Sequence, residues 1–187
     1  MSVQLTLKNV RLAFPHLFEP SSFDGEQAKY SVELIIKKDH PDATALVRAF
    51  FGAGKEAFPN DFDKPGVWPR GFHCSLKDAD KDTDNSGTIL SEKYPEYKGC
   101  YVLKANSTRK PVVVDRSAQP IREEQGIIYP GCYVYAKVGV AGYTYGKMTK
   151  GVKAYLNGVQ FYRDGEPLSG AVDSFDALDG DEDDFMG

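Results

Sequence analysis

Alternation of apolar and polar side chains with a period of two residues is the feature that most constrains the fold. It is strictest in residues 131–140, GCYVYAKVGV, where five apolar residues share one face: Cys132, Val134, Ala136, Val138 and Val140. Successive side chains of a β-strand point to opposite faces, so the segment predicts a strand with one face packed in a core. The opposite face carries Tyr133, Tyr135 and Lys137.

Strand-like segments recur along most of the chain. Stretches rich in β-branched and aromatic residues occupy residues 3–14, 28–38, 100–107, 111–115 and 151–165. One helix is predicted within residues 39–58, with Asp39 as its cap and Pro41 in its first turn. Many strands, a single helix and no regular strand-helix alternation indicate a mainly β fold. We predict an OB fold, a five-stranded Greek-key barrel with extra strands and one helix, with a Greek-key sandwich as the alternative.

Residues 59–98 interrupt this pattern. They are rich in proline, glycine and acidic residues, and contain one short strand candidate at residues 72–78. Such a stretch is typical of a connection that runs over the surface. We therefore predict a long loop insertion that leaves the barrel.

The last residues of the chain are strongly acidic. Residues 173–187 hold seven acidic residues and no Lys or Arg, so they repel one another and bury too little apolar surface to fold. We expect residues 1–172 to form one domain and residues 173–187 to be a disordered tail. Of the 27 acids, 27 − 7 = 20 remain against 23 bases, so the charge changes from −4 for the chain to +3 for the domain. A basic body predicts an anionic ligand.

Aromatic rings beside lysines on one strand face favour binding of unpaired nucleic acid, because bases stack on the rings and phosphates contact the cations. Tyr133, Tyr135 and Lys137 form such a stripe. The following turn extends it through Tyr143, Tyr145 and Lys147, provided that Gly139 and Gly142 introduce no bulge. Further candidate DNA contacts are outward or turn residues of later strands: Lys104, Asn106, Arg109, Lys110, Lys153 and Tyr155. The alternative is that these tyrosines merely cover the outer surface of the sheet.

Residues suited to catalysis or metal binding form no recognised motif. The three histidines and three cysteines lack the spacing of a nucleophile elbow, an HExxH site or a CxxC pair. We therefore expect no enzyme, no cofactor and no metal, with reduced cysteines in the core. One partial match lies in residues 78–92, where Asp82 and Asp84 occupy calcium-ligand positions of an EF-hand loop. Lys93 stands where that loop needs Glu, so a solvated acidic loop is expected and a weak calcium site is the alternative.

Targeting features are also absent from the sequence pattern. The first residues do not show a basic segment followed by an apolar run, and no 18 consecutive residues are apolar. We expect a cytoplasmic protein with no membrane partner.

Four blocks of the sequence resemble a known family: RLAFPHLFEP at 11–20, KYSVELIIKK at 29–38, KANSTRKPVVVD at 104–115 and GVKAYLNGVQFYRDGEPLSG at 151–170. Across residues 3–170 the chain resembles a phage-encoded family of single-stranded DNA-binding proteins. The resemblance implies an OB fold that coats single-stranded DNA during phage replication or recombination in the host cytoplasm, without enzymatic activity. Assembly into a homo-oligomer is compatible with it.

The acidic tail resembles a broader pattern. Single-stranded DNA-binding proteins of bacteria and phages commonly end in an acidic run closed by an aromatic residue, and the matching residues are Asp181, Glu182, Asp183, Asp184 and Phe185. Met186 and Gly187 follow, which departs from that pattern. The likeness implies a tail that competes with DNA and recruits replication or recombination proteins. The rival function is a non-enzymatic phage interaction or structural protein, in which the tail is a spacer.

Overall fold

A computed structural model of the chain describes residues 2–22 and 25–168. The predicted tail, residues 173–187, lies outside the described residues. Eight strands are present in the described part: β1 Val3–Ser21, β2 Lys29–Lys37, β3 His73–Cys74, β4 Leu76–Asp78, β5 Cys100–Ser107, β6 Val112–Val114, β7 Tyr133–Tyr145 and β8 Thr149–Arg163. The helices are α1 Ala43–Ala57 and α2 Leu90–Lys93, with single 3-10 turns at Pro95–Tyr97 and Glu123–Gln125.

Five strands close into a barrel. β1 pairs antiparallel with both β2 and β7, β2 pairs antiparallel with β5, and β7 pairs antiparallel with β8. The parallel pairing of β5 with β8, with Ala105 opposite Ala154, completes the circle. This is a five-stranded OB barrel with extra strands, one long helix and a loop insertion, so the predicted fold is confirmed.

The barrel interior is filled by alternate residues of its strands. The predicted apolar face of β7 lies there, since Cys132, Val134, Ala136, Val138 and Val140 are all 0% exposed. Tyr133 and Tyr135 lie on the opposite face and are half-buried. The sequence pattern of β7 therefore predicted correctly which side chains enter the core.

The parity of β7 is kept along its whole length. In the pairing of β7 with β1, one register shift adds a residue to β1 between Leu7 and Val10. In the pairing of β7 with β8, two register shifts each add a residue to β8. The extra residues thus lie in the partner strands, and the alternation of β7 continues past Gly139 and Gly142. Tyr143 and Tyr145 consequently share the outer face with Tyr133.

Helix α1 begins later than predicted. Asp42, not Asp39, precedes its first turn, and Pro41 lies in the turn ahead of the helix. The Asp42 carboxylate accepts a hydrogen bond from the Lys8 backbone N–H at 2.9 Å instead of capping the helix. This tie to β1 fixes the start of α1. Neither helix in residues 2–22 and 25–168 has the length and hydrophobicity needed to span a bilayer.

The loop insertion leaves the barrel as predicted and covers part of its outer surface. A second, smaller core forms there from buried residues of β1, β2, β5 and the insertion: Ala13, Ile35, Ala79, Tyr97, Cys100 and Val102, with Leu168. The predicted short strand is two strands, because β3 pairs parallel with β8 and β4 pairs antiparallel with β5. The insertion thereby brings His73 beside Gly151 of β8.

Candidate nucleic-acid interface

A polar groove of about 650 Å³ crosses the outer face of the barrel. Its floor is formed by outward side chains of β5 and β8, and its walls by the β7–β8 hairpin, β3 and the segment that precedes β2. The residues of the groove that carry charges, rings or amides are Glu26, Gln27, Lys29, His73, Lys104, Asn106, Tyr143, Tyr145, Lys153 and Tyr155. Lysines outnumber carboxylates among them, so the groove is basic.

The groove lies where OB folds bind oligonucleotides. That position is the face of the second and third barrel strands, flanked by the connections between strands one and two and between strands four and five. In this barrel those strands are β2 and β5, and the flanking connections are the β1–β2 loop and the β7–β8 hairpin. The residues that line the groove come from these same four elements, together with β8 and β3.

Lys153 sits between two aromatic rings in the groove. Its Nζ lies 5.1 Å from the ring centroid of Tyr143 and 4.8 Å from that of Tyr155. Partial burial, and after it the charge of Lys29, lowers the pKa of Lys153. An ammonium group that has lost part of its water and faces a second cation gains from an anionic ligand. The arrangement offers a cation for phosphate and a ring on each side for bases.

A hydrogen bond orients Tyr143. Its Oη lies 2.7 Å from Nδ1 of His73. Desolvation, followed by Lys77, Lys153 and Lys104, lowers the pKa of His73, so the imidazole is neutral at pH 7. Desolvation raises the pKa of Tyr143, so its hydroxyl keeps its proton and the hydrogen bond joins two neutral groups. Tyr145, two residues further along the hairpin, is 77% exposed and leaves its ring open to solvent.

Polar cross-strand pairs continue the groove over β2 and β5. Ser31 lies opposite Asn106 and Glu33 lies opposite Lys104. Burial raises the pKa of Glu33, and the charge of Lys104 opposes that rise. The face between the two strands thus carries hydroxyl, amide and charged groups above the sealed core, where Val32 and Leu34 are 1% and 0% exposed.

The predicted DNA contacts fall into two groups. Those that line the groove are Lys104, Asn106, Tyr143, Tyr145, Lys153 and Tyr155. Tyr133 and Tyr135 lie at the other end of β7, where the Arg163 guanidinium stands 3.7 Å from the Tyr133 ring centroid and the Tyr162 ring 5.0 Å from that of Tyr135. Lys137, Lys147, Arg109 and Lys110 are exposed and are not among the described residues that line the groove.

Four of the charged, aromatic or amide residues of the groove are not among the predicted contacts: Glu26, Gln27, Lys29 and His73. Lys29 alternates with Ser31 and Glu33 on the polar face of β2, and the strand parity that identified Lys104 would have identified it. His73 had no such signal, because it reaches the groove through the parallel pairing of β3 with β8. That pairing joins residues far apart in sequence, which local patterns do not encode.

In the acidic loop, residues 78–92, the Asp84 carboxylate contacts groups of the loop and of the adjoining Lys93. Asp84 accepts hydrogen bonds from the backbone N–H of Ser86 at 2.8 Å and of Thr88 at 3.0 Å. Lys93 places its Nζ 3.1 Å from the same carboxylate, where a calcium loop needs a further carboxylate. Within the described part of the chain, no cluster of three His, Cys, Asp or Glu side chains has the arrangement of a metal site.

The cysteines are placed as small apolar residues. Cys100 and Cys132 are buried and Cys74 is half-buried, and all three are free. Burial raises the pKa of each thiol, that of Cys74 to about 11. Protonated thiols are poor nucleophiles, so their surroundings do not favour thiolate chemistry at neutral pH.

Comparison with known proteins gives a consistent result. Residues 3–186 match the family model described as "Enterobacter phage Enc34, ssDNA-binding protein". The sequence is 35% identical over 185 residues to "Putative protein p50" of Acyrthosiphon pisum secondary endosymbiont phage 1, over 94% of each chain. The fold is similar to that of the single-stranded DNA-binding protein from bacteriophage Enc34 in complex with ssDNA, with a TM-score of 0.70 and 26% identity over 88% of each chain. For gp2.5 of bacteriophage T7 the TM-score is 0.61 over 94% of each chain, and the 15% identity shows a shared fold.

Proposed function

The chain belongs to the family of phage single-stranded DNA-binding proteins represented by that of Enterobacter phage Enc34, and we propose that it binds single-stranded DNA in the groove. The observation that carries this proposal is the position of Lys153 between the rings of Tyr143 and Tyr155, on the face that OB folds use for oligonucleotides. The activity is binding alone, without a chemical step or a cofactor.

Binding combines stacking with charge. Bases stack on Tyr143, Tyr145 and Tyr155, and each stacked base contributes about 1–3 kcal/mol whatever its identity. Phosphates contact the groove lysines, which are Lys29, Lys104 and Lys153. Because neither term depends on base-edge hydrogen bonds, the preference is for unpaired strands and not for a sequence.

The predicted contacts outside the groove belong to a longer DNA path. Tyr133, Tyr135 and Lys137 share the outer face of β7 with Tyr143 and continue towards the other end of the barrel. Lys147 lies in the β7–β8 hairpin, and Arg109 and Lys110 lie in the turn between β5 and β6. Their exposed cations are available to phosphates of DNA that extends beyond the groove.

The biological role is to coat single-stranded DNA during phage replication or recombination in the host cytoplasm. Relatives named as phage single-stranded DNA-binding proteins support this role. Residues 1–172 act as the DNA-binding domain, and a homo-oligomer is compatible with this role. Residues 173–187 act as a tethered polyanion with an effective concentration of the order of mM near the groove, so they compete with DNA. The tail residues that recruit replication or recombination proteins are Asp181, Glu182, Asp183, Asp184 and Phe185.

A salt titration with a labelled oligo-dT tests the proposal. Affinity should be high in dilute buffer and should fall with rising salt, by a slope of about 0.7 for each phosphate contact. Part of the affinity should persist at high salt because stacking is not screened. A mixed-sequence oligonucleotide of equal length should bind similarly. Absence of binding in dilute buffer would refute the proposal and favour the interaction or structural function.

A further inference from the structure

Strand β1 departs from regular geometry at Phe14. Its register with β2 shifts between Ala13 and His16, and Phe14 adopts a φ of +46°. A bulky side chain rarely takes this left-handed conformation, which costs energy and concentrates at functional sites. The result is that the ring points to solvent instead of the core, with 48% of the residue exposed.

Phe14 stands at the edge of a second pocket that continues the groove. This pocket has a volume of about 340 Å³ and is also lined by His16, Ser31 and Glu33. It shares a set of residues with the groove: Glu26, Gln27, Lys29, Lys104 and Asn106. The two pockets therefore form one track, which runs from the β7–β8 hairpin across β8, β5 and β2 to the bulge of β1.

Aromatic contacts hold the Phe14 ring in place. It meets the Tyr94 ring edge-on, with ring centroids 5.7 Å apart and an interplanar angle of 72°. Tyr94 packs in turn on Tyr97 at 5.0 Å, and Tyr97 is buried in the second core with 1% exposure. A ring that is already ordered loses little entropy when a ligand binds.

The charges of this pocket favour a base over a phosphate. The carboxylate of Glu33 repels a phosphate, whereas it accepts a hydrogen bond from the edge of any base, because each base carries an N–H donor: the ring N3–H of thymine or the amino group of adenine, cytosine or guanine. The neighbouring Lys29 and Lys104 remain available to the sugar-phosphate chain. From β8 to β1 the track crosses three strand spacings, or about 14 Å, which gives room for nucleotides beyond those on the groove tyrosines.

We propose that Phe14 is the stacking platform of a further nucleotide subsite at the β1 end of the track. The subsite rests on the proposed binding of single-stranded DNA in the groove and extends it. It takes one unpaired base on the Phe14 ring, with the Glu33 and Ser31 side chains at the edge of the base. The DNA accordingly runs across the barrel strands and not along one of them.

Three variants test the subsite by anisotropy with an oligo-dT of about twelve nucleotides, within the range of OB-fold site sizes. F14A should weaken binding by roughly five- to 140-fold, the equivalent of one lost base stack. V112A removes another exposed apolar side chain, 64% exposed and outside both pockets, and should bind like the wild type. F14W should retain binding, and its added indole fluorescence should be quenched by the oligonucleotide relative to the Trp68 background.

The outcomes separate the subsite from the groove. Wild-type affinity in F14A, or an indole of F14W that does not respond while the oligonucleotide binds, would overturn the subsite alone. Failure of the wild type to bind would refute the proposed function and the subsite with it. Thermal unfolding of F14A checks that the fold is intact, and F14W supplies the answer if the alanine variant does not fold.

Discussion

Replacing Lys153 with Met should remove one phosphate contact and leave the shape of the groove unchanged. The Lys153 Nζ lies 5.1 Å and 4.8 Å from the ring centroids of Tyr143 and Tyr155. Methionine is unbranched and of similar length, so it keeps the apolar contact with both rings. The substitution therefore tests the charge and not the packing.

The size of the effect follows from counterion release. Each phosphate contact with a single strand contributes about 0.7 to the slope of log Kobs against log salt concentration, so K153M should reduce that slope by about 0.7. The pH dependence of binding gives a second test of the Lys153 contact. A phosphate raises the lowered pKa of Lys153, so binding takes up a proton at pH values between the pKa of the free protein and that of the complex. Wild-type affinity should fall as the pH rises through the lowered pKa, and K153M should lack this fall.

The same substitution should not destabilise the protein. The pKa of Lys153 is lower in the folded chain than in the unfolded chain, so between the two values the unfolded chain binds more protons and stability rises with pH. Below both values, the charged ammonium opposes folding. Loss of the two cation–ring contacts, about 0.5–1 kcal/mol each, acts in the opposite direction, so K153M should leave Tm close to that of the wild type, which distinguishes a loss of binding from a loss of structure.

Lys150 offers a matched control. It lies on the same strand as Lys153 but on the opposite face, with its Nζ 5.7 Å from the Phe58 ring centroid and outside the groove. K150M removes the same unit of charge from the protein as a whole. Anisotropy of a labelled oligo-dT at several salt concentrations gives the three slopes. An unchanged slope in K153M, or an equal change in both variants, would contradict the placement of the phosphate beside Lys153.

Three further outcomes are expected from the same assays. Y155A should weaken the free energy of oligo-dT binding by about 1–3 kcal/mol and Y135A by less, because Tyr155 lines the groove and Tyr135 does not. Equal losses would indicate that the tyrosine stripe along β7, and not the groove, is the main DNA contact. Deleting residues 173–187 should strengthen binding and relax the preference for oligo-dT over duplex competitors, and unchanged affinity for both would exclude tail competition. Gly131→Ala should destabilise the fold by about 1–3 kcal/mol and lower Tm accordingly. Gly131 has a φ of +108°, and an added Cβ would clash with the carbonyl oxygen of Glu166. An unchanged Tm would contradict this explanation.

Local patterns predicted the parts of the fold that depend on local geometry. The apolar face of β7 was identified because a two-residue period allows only one set of side chains to enter the core. The same parity placed Lys104 and Lys153 outward. The start of α1 could not be predicted in this way, because Asp42 bonds to Lys8, a residue on another strand.

The tyrosines of β7 were predicted to form one stripe, but only those at one end of the strand line the groove. Tyr133 and Tyr143 are ten residues apart on one strand, which corresponds to a separation of up to about 33 Å. A strand of that length twists around the barrel, so residues of equal parity face different surroundings at its two ends. The two-residue alternation shows on which face of a strand a side chain lies, but not which other side chains surround it. His73 and Phe14 were missed for the same reason, since each joins the track through contacts between distant segments.

In the proposed binding mode, the lysine-ring contacts of the groove make the exchange with DNA favourable. A cation near a ring at a partly exposed site contributes about 0.5–1 kcal/mol, whereas a base stacked on the ring contributes about 1–3 kcal/mol. When a base takes the ring face, the displaced ammonium of Lys153 remains beside the strand and gains a phosphate contact. The two rings thus exchange two cation contacts for two base stacks, and Lys153 gains one phosphate contact. Duplex DNA hides its base faces, so it can gain only the phosphate contact, and the proposed binding mode therefore favours unpaired strands.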